Sequence, residues 1–178
     1  PAFEPWVPYL RGDVDKAVAL AKESIREFPD FFVAHTQYVR ILAQARRDEE
    51  LAAYFGREYG GDLETFSTRL RPAANVDHPP YGELAVAMRT VGNEAVFKDA
   101  MRRWRFTNDS WRAGGDVSVE RDIDDAAYYA IMGETKKALD FLEDAFEKRS
   151  PLRISLFVER GFDALRDQVR FLQLREKN

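Results

Sequence analysis

Asp122-Ile-Asp-Asp-Ala-Ala-Tyr-Tyr-Ala-Ile-Met-Gly-Glu-Thr-Lys-Lys-Ala-Leu-Asp-Phe-Leu-Glu-Asp-Ala-Phe146 contains two runs of helical period separated by Gly133. Small side chains at Ala126, Ala138 and Ala145 alternate with bulky ones at Tyr129, Leu142 and Phe146. The small positions let two antiparallel helices approach closely, and the large ones fill the grooves beside them. The stretch therefore predicts a helix-turn-helix hairpin, built as a packing code with no chemistry in it.

Upstream, Val14, Val18, Ala21, Ile25 and Phe28 recur at helical spacing until Pro29 closes the run. A helix at about Phe31 to Ala45 carries His35-x2-Tyr38-Val39-x2-Leu42, and the next carries Leu51-x3-Phe55. A third hairpin starts at Tyr81-x2-Leu84-Ala85-x2-Met88, turns at Gly92-Asn93 and continues through Phe97-x3-Met101-x2-Trp104. Its large Phe97 and Trp104 predict helices that splay or aromatics that face an unusual neighbour. From Ala17 to Leu51 is 34 residues (51 − 17), and the later steps to Phe97 and Ala138 are 46 (97 − 51) and 41 (138 − 97). Insertions between repeats account for the longer steps, because connecting loops tolerate them.

Ala138-x3-Leu142-x2-Ala145, preceded by Ala126-x2-Tyr129 and Gly133, resembles the tetratricopeptide repeat, whose period is the 34 residues separating Ala17 from Leu51. The tail Phe162-Asp163-x-Leu165-Arg166, followed by Arg170-Phe171-x2-Leu174, resembles the segment that closes such arrays in bacterial multidomain regulators, with Val169 where a proline is usual. The resemblance implies an all-α fold, a right-handed superhelical array of about four degenerate hairpins with a C-terminal capping helix. Its hairpins fall at about 1–29, 31–59, 79–106 and 118–149, its connectors at about 60–78 and 107–117, and its cap at 150–178. In that cap Phe162, Leu165, Phe171 and Leu174 are expected to cover the apolar end of the stack, after an apolar run from Leu152 to Val158. The resemblance implies no activity, since the repeat's characteristic residues are buried and structural.

Of the 178 residues, 45% are hydrophobic and 33% charged, a composition suited to a folded protein with many solvated helix faces. A net charge of −4 supplies no general field toward nucleic acid or an anionic bilayer, so direct nucleic-acid binding is not expected. No cysteine is present, which removes disulfides, thiolate metal sites and a cysteine nucleophile. The sequence contains no apolar run of about 18 residues or more and no export leader, so a membrane location is not expected and the cytoplasm is the preferred compartment. A first residue that is proline leads us to expect a processed chain or an excised part of a larger regulator.

His35 and His78 lie in different segments, and the two further ligands a zinc site needs cannot be identified. A packing role for His35 and a loop position for His78 are expected. No metal-binding, phosphate-loop or nucleophile-elbow motif occurs, so no catalytic residue, cofactor or metal is expected. Mapping the first helix of each pair onto a concave groove nominates Thr36, Gln37, Arg40 and Gln44, then Glu83, Val86, Arg89 and Thr90, then Asp124 and Ala127. Amides and arginines in that arrangement suit carbonyls and carboxylates of a bound peptide. Glu120, Asp122, Asp124 and Asp125 complement a helix N-terminus, or else clamp a basic peptide or divalent cation. Arg102, Arg103, Trp104, Arg105 and Trp111 form a candidate patch for an anionic partner or for a second copy of the chain. The expected function is a non-enzymatic module that binds a protein or peptide, as a monomer or homodimer, with a sensory or dimerising domain as the alternative.

Overall fold

The computed structural model describes residues 4–70, 79–116, 118–148 and 159–176, and all regular structure among them is helical. Helices α1 (Trp6–Leu10), α2 (Val14–Glu27), α3 (Phe32–Gln44), α4 (Asp48–Tyr59), α5 (Leu63–Arg69), α6 (Tyr81–Thr90) and α7 (Glu94–Ala113) come first. They are followed by α8 (Val119–Ile131), α9 (Thr135–Glu147), a 3-10 helix (Arg160–Leu165) and α10 (Val169–Glu176). The chain divides into two compact units, Pro1–Ala100 and Met101–Asn178, with the division falling inside α7. None of the described helices is long and apolar enough to cross a membrane.

In the first unit α2 packs on α1 and α3, α3 also meets α4 and α6, and α4 meets α5 and α6. Covered from several sides, α3 buries Ala34, Tyr38, Val39, Ile41, Leu42 and Ala43, and its composition is accordingly apolar over most of its surface. Ala17 and Ala21 lie fully in the interior and let α2 approach closely. Aromatic rings fill the space between the later helices: Tyr38 meets Tyr54 edge-on at 4.8 Å, and Tyr59 meets Phe66 at 5.0 Å. The segment expected as a connector at 60–78 begins with α5, which Asp62 caps by accepting from the Thr65 backbone N–H at 2.7 Å.

Four three-residue links between helices use the same turn, which recurs at Gly115 (φ 90°), ahead of a longer link, where the Asp116 N–H reaches the Trp111 carbonyl at 3.0 Å. Gly12, Arg46, Gly92 and Gly133 have left-handed backbones with φ of 84°, 57°, 80° and 80°. The next residue in each case donates its N–H to a carbonyl five residues back: Asp13 to Pro8 at 2.9 Å, Arg47 to Leu42 at 2.9 Å, Asn93 to Met88 at 2.8 Å and Glu134 to Tyr129 at 2.8 Å. This bond satisfies a carbonyl that the helix end would leave orphaned. In the four three-residue links the left-handed positions are separated by 34 (46 − 12), 46 (92 − 46) and 41 (133 − 92) residues. Those are the steps read from Ala17, Leu51, Phe97 and Ala138, each of which lies five residues beyond its turn and is buried.

In the second unit α8 packs on α9 and on the 3-10 helix, and α9 packs on α10. Phe162 and Leu165 are fully buried and Phe171 and Leu174 nearly so, so these four side chains cover apolar surface of α8 and α9. A Cβ on Gly161 would stand 3.4 Å from the Ala127 Cβ, a measure of how closely the 3-10 helix approaches α8. Val169 opens α10 and is exposed, a position that proline would suit because its missing N–H has no intrahelical role. The apolar run from Leu152 to Val158 and His78 lie outside the described residues.

The connector expected at 107–117 is largely helix, since α7 continues to Ala113. Asn108, Asp109 and Ser110 read as turn residues because their side chains compete for nearby backbone groups. Here the bonds they make are compatible with a continuing helix. Asn108 is fully buried and donates to Asp125 at 3.3 Å, Asp109 pairs with Arg105 at 2.6 Å, and Ser110 donates to the Phe106 carbonyl at 2.8 Å.

The shared turn predicts opposite outcomes at two equivalent sites. Arg46→Gly relieves the side chain's crowding and raises unfolding free energy by about 0.5–1 kcal/mol. Gly133→Ala introduces the same crowding and lowers it by roughly 1–2 kcal/mol. Urea denaturation of both variants measures the two signs, and equal effects would remove the equivalence of the turns.

Candidate functional site

The groove residues of the first unit stand on α3 and α6, which pack together. Arg40 Nε lies 3.4 Å from Glu83 Oε1, and both side chains are about one-quarter exposed. Gln44 is half-buried, and its carbonyl accepts from the Tyr9 hydroxyl at 3.3 Å. Arg89 is exposed, with its guanidinium 5.0 Å from the centre of the Phe97 ring. Thr90 turns its hydroxyl back to the Val86 carbonyl at 2.9 Å, and Val86 is buried.

Thr36 and Gln37 do not reach the surface. They are 8% and 5% exposed, and Gln37 Oε1 accepts from Trp6 Nε1 at 2.6 Å. Helix α1 covers this part of α3, so the open polar face begins at Arg40. Thr36 Oγ1 is buried and has no hydrogen-bond partner.

His35 is a clasp. Its Nε2 meets the Pro29 carbonyl at 2.8 Å and its Nδ1 meets the Tyr54 hydroxyl at 2.5 Å, which assigns the proton to Nε2 and makes Nδ1 the acceptor. The ring therefore ties the turn before α3 to α4. Burial pushes the phenols of Tyr38 and Tyr54 upward, reinforced at Tyr38 by its bond to Glu50 and at Tyr54 by the neighbouring Tyr59. Burial likewise raises Tyr59 to about 12. Among the described residues, no three His, Cys, Asp or Glu side chains gather closely enough to hold a metal ion.

The second unit gathers charges at the junction of α7, α8 and α9. Asp122 and Asp125 are 3% and 1% exposed. Asp125 accepts from Arg112 Nε at 2.7 Å, Arg105 Nη1 at 3.2 Å and Asn108 Nδ2 at 3.3 Å. Asp122 accepts from Arg112 Nη2 at 3.0 Å and Lys148 Nζ at 2.5 Å. Every oxygen of the two carboxylates is thus bonded within the chain, as burial of charge requires. Asp124, nominated for the groove, is paired with Arg121 Nη1 at 2.6 Å. Ala127 is buried. The side chain of Glu120 lies outside the described structure.

Of the aromatic and basic patch only Trp104 is buried. Trp104 is 4% exposed and meets Tyr128 edge-on at 5.9 Å. Arg105 spans Asp109 and Asp125 and covers the faces of Tyr128 and Tyr129. Trp111 lies beneath Arg121, whose guanidinium carbon is 3.9 Å from the ring centre. Arg102 is exposed and Arg103 half-buried. Arg112, which the sequence offers only beside Trp111 among the cations and aromatics, bridges Asp122 and Asp125 from a different helix, beyond the reach of a helical-period argument; Arg121, not singled out by sequence, pairs with Asp124 one turn along α8 and with Asp116.

No family model matches the chain, and comparison with curated proteins and with solved structures gives no significant match.

Asp125→Ala strands two arginines and a buried amide and lowers stability by about 2–4 kcal/mol, measured by urea denaturation of the whole chain. Above pH 10 the unfolded chain releases tyrosine protons that the fold retains on Tyr38, Tyr54 and Tyr59. The folded phenols thus have raised pKa values, and the stability they contribute is lost as pH rises from about 10 through 12. Absorbance titration should show these phenols ionising only together with loss of the helical circular-dichroism signal.

Proposed function

We propose that the chain is a non-enzymatic interaction module, a tetratricopeptide-like array that binds a peptide or protein segment along α3 and α6. The recurrence of one turn, followed five residues later by a buried packing position, supports the reading most strongly. A chain of similar hairpins is a scaffold, and function in such scaffolds lies on the polar faces the packing leaves open. On the first unit that face offers Arg40, Gln44, Glu83 and Arg89: an ion pair, an amide and an exposed cation. Those groups complement the carbonyls and carboxylates of an extended segment. The proposal extends to a place within a larger regulator, where such modules recruit partners. A second reading is dimerisation through this region, for which Trp104 is buried against Tyr128 while Trp111, stacked under Arg121, is half-buried.

A displayed library of peptides selected on the wild-type chain tests the groove. Selected peptides should lose about tenfold or more in affinity on an Arg40→Ala, Arg89→Ala double variant whose helical circular dichroism is unchanged. Equal affinity for both proteins would remove α3 and α6 as the binding surface.

A further inference from the structure

Helix α1 has little to hold it in shape by itself. It has five residues, whereas about 12 are needed before a helix persists alone in water. Its N-cap Pro5 makes no side-chain bond, and Val7 and Leu10 are 53% and 70% exposed while Pro8 is buried. What α1 does carry is one aromatic face. Trp6 and Tyr9 meet edge-on at 5.6 Å, and each sends a donor onto α3: Trp6 Nε1 to Gln37 Oε1 at 2.6 Å, and the Tyr9 hydroxyl to the Gln44 carbonyl at 3.3 Å.

Gln37, Arg40 and Gln44 follow one another at helical spacing, so both acceptors belong to the polar stripe assigned to the groove. Helix α1 thus lies where a bound segment would begin, and its bonds are of the kind such a segment would make. The polar match is incomplete. Thr36, beside Gln37, is 8% exposed and its hydroxyl has no hydrogen-bond partner, which costs a buried polar group the water it gave up.

We propose that α1 is a displaceable occupant of the groove, and that the partner is a short segment of the same chemistry: an aromatic N–H and a hydroxyl three residues apart, bonding Gln37 and the Gln44 carbonyl. The proposal rests on the groove reading and adds the partner's chemistry and a competitor built into the chain. A segment tethered beside its site acts at an effective concentration on the order of millimolar. Helix α1 therefore excludes weak ligands and yields to one that reproduces its two bonds and satisfies Thr36 besides.

The test uses the labelled peptide Glu-Pro-Trp-Val-Pro-Tyr-Leu-Arg, the sequence of residues 4–11, titrated into the whole chain and into its Trp6→Phe, Tyr9→Phe double variant. That variant keeps both rings of α1 and loses both donors. The peptide should bind it about tenfold or more tighter than wild type, because its donors no longer meet an equal competitor. A peptide with phenylalanine in place of tryptophan and tyrosine should bind the double variant about fivefold or more weakly than the first peptide does. Adding Gln37→Ala to the double variant should weaken the first peptide by a similar factor with helical circular dichroism unchanged. Equal affinity for wild type and double variant, equal affinity of the two peptides, or no binding at all overturns the proposal. If library peptides still depend on Arg40 and Arg89 in that case, the groove stands without α1 as its occupant. If the library also yields none, both readings fail.

Discussion

Two antiparallel helices joined by three residues must reverse the chain without leaving their last carbonyls bare, and a single left-handed residue followed by a long backbone bond does both. In the three-residue links that turn, which at Gly115 precedes a longer link, occurs at Gly12, Arg46, Gly92 and Gly133, and the next helix begins two residues on. The residue five positions on is carried to the interior each time, as alanine at Ala17 and Ala138, leucine at Leu51 and phenylalanine at Phe97. Register inside a hairpin is therefore set locally. The differing steps between hairpins follow from the same constraint: insertions fall between hairpins, where they leave the turn and its buried neighbour undisturbed.

Local register does not supply cohesion. A hairpin exposes an apolar flank, and the two units cover theirs by different means. In the first, aromatic rings do much of it, with His35 bonded between Pro29 and Tyr54 to close the polar account of an otherwise apolar layer. In the second, a dense set of charge-assisted bonds holds α8 between α7 and α9. Burying Asp122 and Asp125 is costly in itself, and removing any partner leaves a charge uncompensated. Such a cluster favours one arrangement of helices over its neighbours more than it adds net stability.

The helical content and the hairpin at Asp122–Phe146 were legible because glycine punctuation and small-large alternation are local signals. Arg46 hid the equivalent turn, since arginine carries no turn signal and only the spacing from Gly12 betrays its position. The extension of α7 was hidden for the opposite reason: Asn108, Asp109 and Ser110 carry a strong turn signal, but Asn108 bonds across to Asp125 while Asp109 and Ser110 bond one turn back along α7 itself. At the groove, helical period nominated Arg40, Gln44, Glu83 and Arg89 together with Thr36 and Gln37. Only docking of α1, a five-residue helix in a proline-rich segment, separates the two sets. The pairing of Arg112 with Asp122 and Asp125 lies beyond periodicity altogether, because it joins positions on separate helices.

Short α1 also explains why polar groups at one end of α3 remain open while those at the other are covered. Its Trp6 seals Gln37, and its last residues reach only as far as Gln44. Beyond that point α1 and α3 end in long exposed cations in place of packed side chains. Leu10, Arg11 and Arg46 are exposed there. Packing has thus left this corner exposed, with one non-glycine left-handed backbone at Arg46.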